Sequence, residues 1–171
     1  MVSGAPGTGK STLARALALQ LGWVLVAKDD VKEALFAAVG TPSDRPASQR
    51  LSSASIAVLL AVASRAVETG SDLIIEANFR RGQGEQVLKQ LVRQAEVRLI
   101  HCEAPPELVV SRYRARGRHP GHHDAQALGD LIAGLKSGEF EPLNVEVRML
   151  RVDTSDQYSP DWEAIVAFCS R

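Results

Sequence analysis

The chain has 171 residues, 45% hydrophobic and 23% charged, which is the composition and size of one globular domain spanning 1–171 rather than of a disordered tail or two domains. Twenty basic side chains balance twenty acidic ones, which argues against coating nucleic acid or anionic lipid as the main task. No apolar run approaches the roughly 18 residues of a membrane span, residues 1–15 are glycine-rich and polar, and Cys102 and Cys169 lie far apart in apolar surroundings. These features predict a cytoplasmic protein with reduced cysteines, no membrane span and no secretory leader.

In chain order, short β-branched runs alternate with longer amphipathic ones. A glycine-rich turn opens the helix Lys10–Leu21, where Leu13, Leu17 and Leu21 share a face and Gly22 supplies the stop. The run Trp23–Ala27 reads as a strand, followed by a helix over Val31–Val39, a loop over Gly40–Pro46, and a long helix over about 47–69 carrying Leu59, Ala63 and Val67 on one face. A strand at Leu73–Glu76 and a helix at Gln83–Gln94 come next, then a strand at Val97–Cys102. A helix opened by Pro105 or Pro106 runs to about Arg116. After the segment Gly117–Asp124, a helix ends at Gly138, a strand covers Val147–Val152, and a last helix holds Trp162, Ile165 and Cys169. Repeated β–α units predict a mostly parallel sheet with helices on both faces.

One stretch carries chemistry by itself. Gly4-Ala5-Pro6-Gly7-Thr8-Gly9-Lys10-Ser11 fits G-x-x-x-x-G-K-[ST] at every constrained position. Glycines let successive backbone N–H groups converge on a phosphate, and the helix behind them adds its positive dipole end. In this pattern Lys10 reaches the β- and γ-phosphates of a nucleotide and the Ser11 hydroxyl ligates Mg²⁺, with Thr12 following in the first helical turn. The implied fold is a three-layer α/β/α P-loop NTPase with a five-stranded sheet. Only Met1, Val2 and Ser3 precede Gly4, fewer than the roughly five residues of an ordinary strand. Either the first strand is a three-residue stub or the true start lies upstream.

The nucleotide's use is read from other residues. No Asn-Lys-x-Asp occurs, against a guanine switch. Asp29 and Asp30 fall at the carboxyl end of the second strand, the ligand edge of an open α/β sheet. A carboxylate there can take the proton of an attacking hydroxyl. The preferred division makes Asp29 that base and Asp30 the cap of the helix at Val31; the reverse assignment stays open.

The glycine turn, Lys28-Asp29-Asp30-Val31-Lys32, Ile75-Glu76-Ala77-Asn78-Phe79-Arg80-Arg81-Gly82 and Arg118-His119-Pro120-Gly121-His122 resemble a family of small P-loop kinases. That family includes zeta-toxin-like kinases, chloramphenicol phosphotransferase and polynucleotide 5′-hydroxyl kinases. The resemblance implies an ATP- and Mg²⁺-dependent transfer of a phosphoryl group to a hydroxyl. It places the base at Asp29, lets Lys32 contact acceptor or phosphate, and makes about 106–124 a helical lid. Glu76, Asn78 and Arg80 are candidates for binding the acceptor or positioning the metal. Arg112 and Arg116, four apart on one helix face with Arg114 and Arg118 pointing elsewhere, are candidates for the transferring phosphate. The resemblance also puts the loop around Thr154–Asp156 beside adenine. Zero net charge favours a small acceptor (a sugar, nucleoside or antibiotic-like hydroxyl) over a polynucleotide, with a non-catalytic ATP-binding regulator as the remaining alternative. The three histidines at His119, His122 and His123 lack structural-zinc spacing and suggest a hinge or substrate loop.

Overall fold

The computed structural model describes residues 1–170. Its elements are β1 (Val2–Gly4), α1 (Lys10–Leu21), β2 (Val24–Ala27), α2 (Lys28–Val39), α3 (Arg45–Glu68), β3 (Leu73–Glu76) and α4 (Gly84–Val92). These are followed by β4 (Arg98–Glu103), α5 (Pro106–Ala115), a 3-10 turn at Pro120–His122, α6 (Asp124–Ser137), β5 (Arg148–Asp153) and α7 (Trp162–Ser170). The strands lie in the order β2-β3-β1-β4-β5 and every ladder is parallel. The chain leaves β1 toward β2 and later crosses back to β4, so its order reverses at β1. That reversal opens a crevice at the carboxyl edge of the sheet.

Alternation along the strands supplies two cores. Ile74, Ile100, Cys102 and Val152 meet Leu13 and Leu17 of α1 and Ile165 of α7 on one face. Ile75 and Leu99 meet Leu59 and Ala63 of α3 and Leu88 and Leu91 of α4 on the other. A third cluster, Ala5, Val109, Tyr113, Leu131 and Phe140, joins the glycine turn to α5 and α6. Both cysteines are free. The first strand has three residues, with Val2 opposite Glu76 of β3 and Ile100 of β4. A cavity of about 310 Å³ lies between the amino ends of β3 and β4, walled by Leu17, Ala63, Leu73, Leu91 and Val97.

Four boundaries or features differ from the sequence reading. First, α2 starts at Lys28, directly after extended Ala27, which makes no side-chain cap bond. Asp30 therefore is not a cap: it sits with Asp29 in the first turn, where the helix dipole favours carboxylates, and pairs with Arg15 at 3.1 Å. Second, α3 starts at Arg45, with Asp44 as its cap accepting from the Ala47 amide at 2.7 Å. Third, α5 stops at Ala115, and Arg116 is extended at φ −71°, ψ 131°, so Arg112 and Arg116 do not share a helical face. Fourth, α3 contains an 18-residue window of mean hydropathy 1.5, long and apolar enough to span a membrane by length and composition. Here it packs as a layer helix against α2, β3 and α4.

Arg98 fastens the last helix. Its guanidinium donates to the carbonyl oxygens of Phe168, at 3.2 Å, and Cys169, groups that a helix carboxyl end leaves without intrahelical partners. Replacing Arg98 by Met should lower stability by about 1–3 kcal/mol, read as a lower urea midpoint with an unchanged slope. An unchanged midpoint would show that α7 docks through its apolar face alone.

Candidate functional site

The glycine turn is shaped by backbone clearance. Gly4 has φ 143° and Gly7 φ 99°. A Cβ would strike the carbonyl oxygen of Cys102 at the first position and that of Val109, 2.6 Å away, at the second. Only glycine fits where strain and contact coincide. Within the turn the Thr8 hydroxyl donates to the Ala5 carbonyl at 2.8 Å. From behind, the Thr154 hydroxyl donates to the Thr8 carbonyl at 2.7 Å, tying the turn to the end of β5. Gly9 ends the turn in the left-handed region and α1 begins at Lys10.

Lys10 is buried, with Nζ 3.6 Å from Oε1 of Glu76. Ser11 donates from Oγ to Oε2 of the same carboxylate at 2.9 Å. Glu76, 3% exposed at the end of β3, therefore holds both side chains that follow the turn. The Ser11 hydroxyl and a neighbouring carboxylate are hard oxygen donors, the set that suits Mg²⁺ shared with nucleotide phosphates. Among the described residues no group of three or more His, Cys, Asp or Glu side chains forms a metal cage.

Across the crevice, the first turn of α2 presents Asp29. Its carboxylate lies 3.3 Å from Lys28 Nζ and 2.7 Å from an Arg118 guanidinium nitrogen. Burial alone would raise its pKa, but Lys28, Arg118, Lys10 and His122 outweigh that and hold the carboxyl well below the usual range. Burial pushes Lys28 down despite Asp29, and the nearby Arg118 and Lys10 charges add to the shift.

Arg118 reaches Asp29 because the chain after α5 folds back over α2. Asp124 gathers Arg118 at 3.2 Å, Arg116 at 3.0 Å and the Tyr113 hydroxyl at 3.0 Å. Arg116 also lies 3.9 Å from the centre of the Tyr113 ring. His122 bonds Arg118 through Nδ1 at 2.6 Å and Glu33 through Nε2 at 2.8 Å. Burial and Arg118 lower the His122 pKa despite Glu33. A neutral ring accepting at Nδ1 and donating from Nε2 fits that network.

A cleft of about 1200 Å³ runs along these groups, from Lys10, Ser11 and Thr12 past Asp29 to Arg112, Arg116 and Arg118. At its far end stand Thr154, Asp156, Tyr158 and Trp162. Arg112 is turned toward that end, donating to the carbonyl oxygens of Thr154 and Ser155, each at 2.9 Å. Pro6 lies on a small neighbouring gap with Lys10, Asp29, Glu76 and Asn78.

Two expected site residues do not line this cleft. Lys32 is buried between α2 and α3, donating to Ser48 Oγ at 2.7 Å, and Ser48 in turn donates to the Gly121 carbonyl at 2.6 Å. Burial, with Lys28 nearby, brings Lys32 down to about 8. Arg80 points to the end of α6, 2.7 Å from Glu139 and 5.7 Å from the Phe140 ring centre. The sequence reading turns Arg118 away from the Arg112 face, gives Lys28 and His122 no role at Asp29, and does not single out Glu33 or Asp124. Their meeting depends on the fold-back after Ala115, which no periodicity encodes.

Residues 1–137 match the AAA domain family. The chain is similar to a candidate kinase from Chloroflexus aurantiacus j-10-fl, with 35% identity over 98% of this chain and 94% of that one and a TM-score of 0.84. A gluconokinase from Sinorhizobium meliloti 1021 shares the fold, at 16% identity, 99% and 90% coverage and a TM-score of 0.60. So does a sugar kinase from Janibacter sp. HTCC2649, at 19% identity, 89% and 82% coverage and a TM-score of 0.55. No curated protein matches the sequence.

Because Asp29 titrates below its unfolded value, its ion pairs stabilise the fold fully above the ordinary carboxylate range. That contribution is lost as pH falls toward the lowered value. In Arg118→Ala the Asp29 titration, followed by carboxyl ¹³C NMR, should move up toward the ordinary range. A titration that stays put would mean Lys28 and Lys10 suffice.

Proposed function

We propose, from the fact that this chain belongs to the AAA domain family and from the geometry of its cleft, that it is an ATP-dependent kinase. It transfers the γ-phosphoryl group to a hydroxyl of a small molecule, such as a sugar, a nucleoside or an antibiotic-like alcohol. The observation that carries the reading is the position of Asp29: a half-buried carboxylate on the wall of the same cleft as Lys10 and Ser11, paired with an arginine from the chain beyond α5. The 35%-identical chain named as a candidate kinase supports it. The finer kinship, with zeta-toxin-like kinases, chloramphenicol phosphotransferase and polynucleotide kinases, rests on the Lys28–Lys32 run.

The backbone N–H groups of Gly7, Gly9, Lys10 and Ser11 and the Lys10 ammonium hold the β- and γ-phosphates, and the far end of the cleft near Thr154 takes the adenine. Ser11, with Glu76 behind it, would hold Mg²⁺, which when bound would neutralise charge on the nucleotide phosphates. The acceptor oxygen bonds to the γ-phosphorus as the bond to the β–γ bridging oxygen breaks, ADP leaves, and the acceptor proton passes to Asp29. While clamped by Lys28 and Arg118, Asp29 is a weak base. When Arg118 transfers its charge to the γ-phosphate, alongside Arg112 and Arg116, the carboxylate regains basicity in the arrangement that needs it.

Asp29→Asn should keep ATP affinity within a few-fold while slowing acceptor phosphorylation by about 10²-fold or more. Calorimetric ATP binding and acceptor-dependent ADP release measure the two. A rate within about threefold of the wild type would remove Asp29 from the role of base.

A further inference from the structure

Beside the phosphate cleft lies a second groove of about 320 Å³, at the lower end of the usual size of small-molecule sites. It shares Lys28 and Asn78 with the 40 Å³ gap that also holds Asp29, Lys10 and Glu76. The two spaces therefore have a common wall, with the candidate base on its other side.

The lining has a distinct chemistry. Ser52 comes from α3, and Asn78, Arg80 and Gln83 come from the connection between β3 and α4. Among the described residues the side chains of Ser52, Asn78 and Gln83 make no hydrogen bond, although Asn78 and Ser52 are half-buried. Solvated amides and hydroxyls without protein partners are free to exchange water for the donors and acceptors of a ligand. Two cations, Lys28 and Arg80, face the groove and no carboxylate does. Arg80 uses one guanidinium nitrogen on Glu139, which orients the planar fork and leaves further N–H donors for a second carboxylate.

We propose that this groove is the acceptor subsite and that the acceptor is a small polyhydroxylated carboxylic acid. Its hydroxyls meet Ser52, Asn78 and Gln83, its carboxylate meets Arg80, and one hydroxyl reaches past Asn78 to Asp29. The assignment rests on the phosphotransfer reading above and narrows its substrate class. The burial that lowers the Lys28 pKa is consistent with a wall that gains from an anionic neighbour.

The test uses the full chain with ATP and Mg²⁺ and three matched acceptor sets: aldonic and uronic acids, the corresponding neutral sugars, and the corresponding amino sugars. Nucleosides form a fourth set. Formation of an organic phosphate is followed directly. The expected result is a kcat/KM for the preferred acid about tenfold or more above its neutral counterpart, the size of one charge-assisted hydrogen bond. Arg80→Gln should erase most of that preference through KM rather than kcat, and Arg80→Lys should restore part of it. Ser52→Val, which fills the groove without touching the ion pairs, should raise KM for the acid and leave ATP affinity unchanged.

Equal or better use of neutral or amino sugars overturns the acid assignment, as does an Arg80→Gln variant that weakens all acceptors alike. Asp29-dependent phosphorylation of nucleosides with no acid accepted overturns the subsite and leaves the kinase reading standing. No organic phosphate from any set, with ATP bound, overturns the kinase reading itself.

Discussion

Asp29 keeps its charge in a half-buried place because Lys28 and Arg118 contact it and Lys10 lies close by. A carboxylate removed from water without such partners would be protonated or would move. The three cations come from separate parts of the chain: Lys10 from the first turn of α1, Lys28 from the first residue of α2, and Arg118 from the fold-back after α5. The parallel sheet brings the first two to one edge, since both follow directly from strand ends at the crevice. The third arrives only because Asp124 collects Arg116, Arg118 and Tyr113, while His122 anchors to Glu33 and Ser48 bridges Lys32 to the Gly121 carbonyl. The charge on one side chain thus depends on tertiary contacts spread from residue 10 to residue 124.

The same arrangement gives the proposed transfer a physical logic. An empty site with a free carboxylate and a free arginine would leave two buried charges uncompensated; pairing them satisfies both. A bound triphosphate competes for Arg118, and each step it takes toward the phosphate loosens its hold on Asp29. In the proposed transfer, base strength then rises only when the donor is in place. Arg112 contributes from the other end. Its grip on the Thr154 and Ser155 carbonyls links α5 to the loop after β5, so the two ends of the cleft are mechanically joined through one helix.

Much of the architecture is legible in the sequence, because a buried parallel strand and an amphipathic helix leave different hydrophobic periods. The glycine turn is legible too, since Gly4 and Gly7 occupy positions where a side chain would collide with backbone carbonyls. Local capping was harder: Asp30 has the chemistry of a cap, yet the helix begins two residues earlier and makes it a first-turn acid facing Arg15. The arginines were harder still. A helical reading carried one residue too far, through Arg116, placed it over Arg112 and sent Arg118 away, whereas the break at Ala115 reverses both outcomes. Lys32 was misplaced for a related reason, its burial depending on Ser48 and Gly121, distant in sequence and adjacent only after folding. What sequence alone misses here is tertiary pairing of long polar side chains, whose reach exceeds any local spacing rule.

The central claim, that the glycine turn delivers a phosphoryl group to a hydroxyl bonded at Asp29, is tested most directly by following the label of [γ-³²P]ATP in the presence of mixed hydroxyl compounds. The account predicts label in an organic phosphate ester, formed in step with ADP. Label found only as inorganic phosphate, or retained in ATP under saturating acceptor, would contradict it.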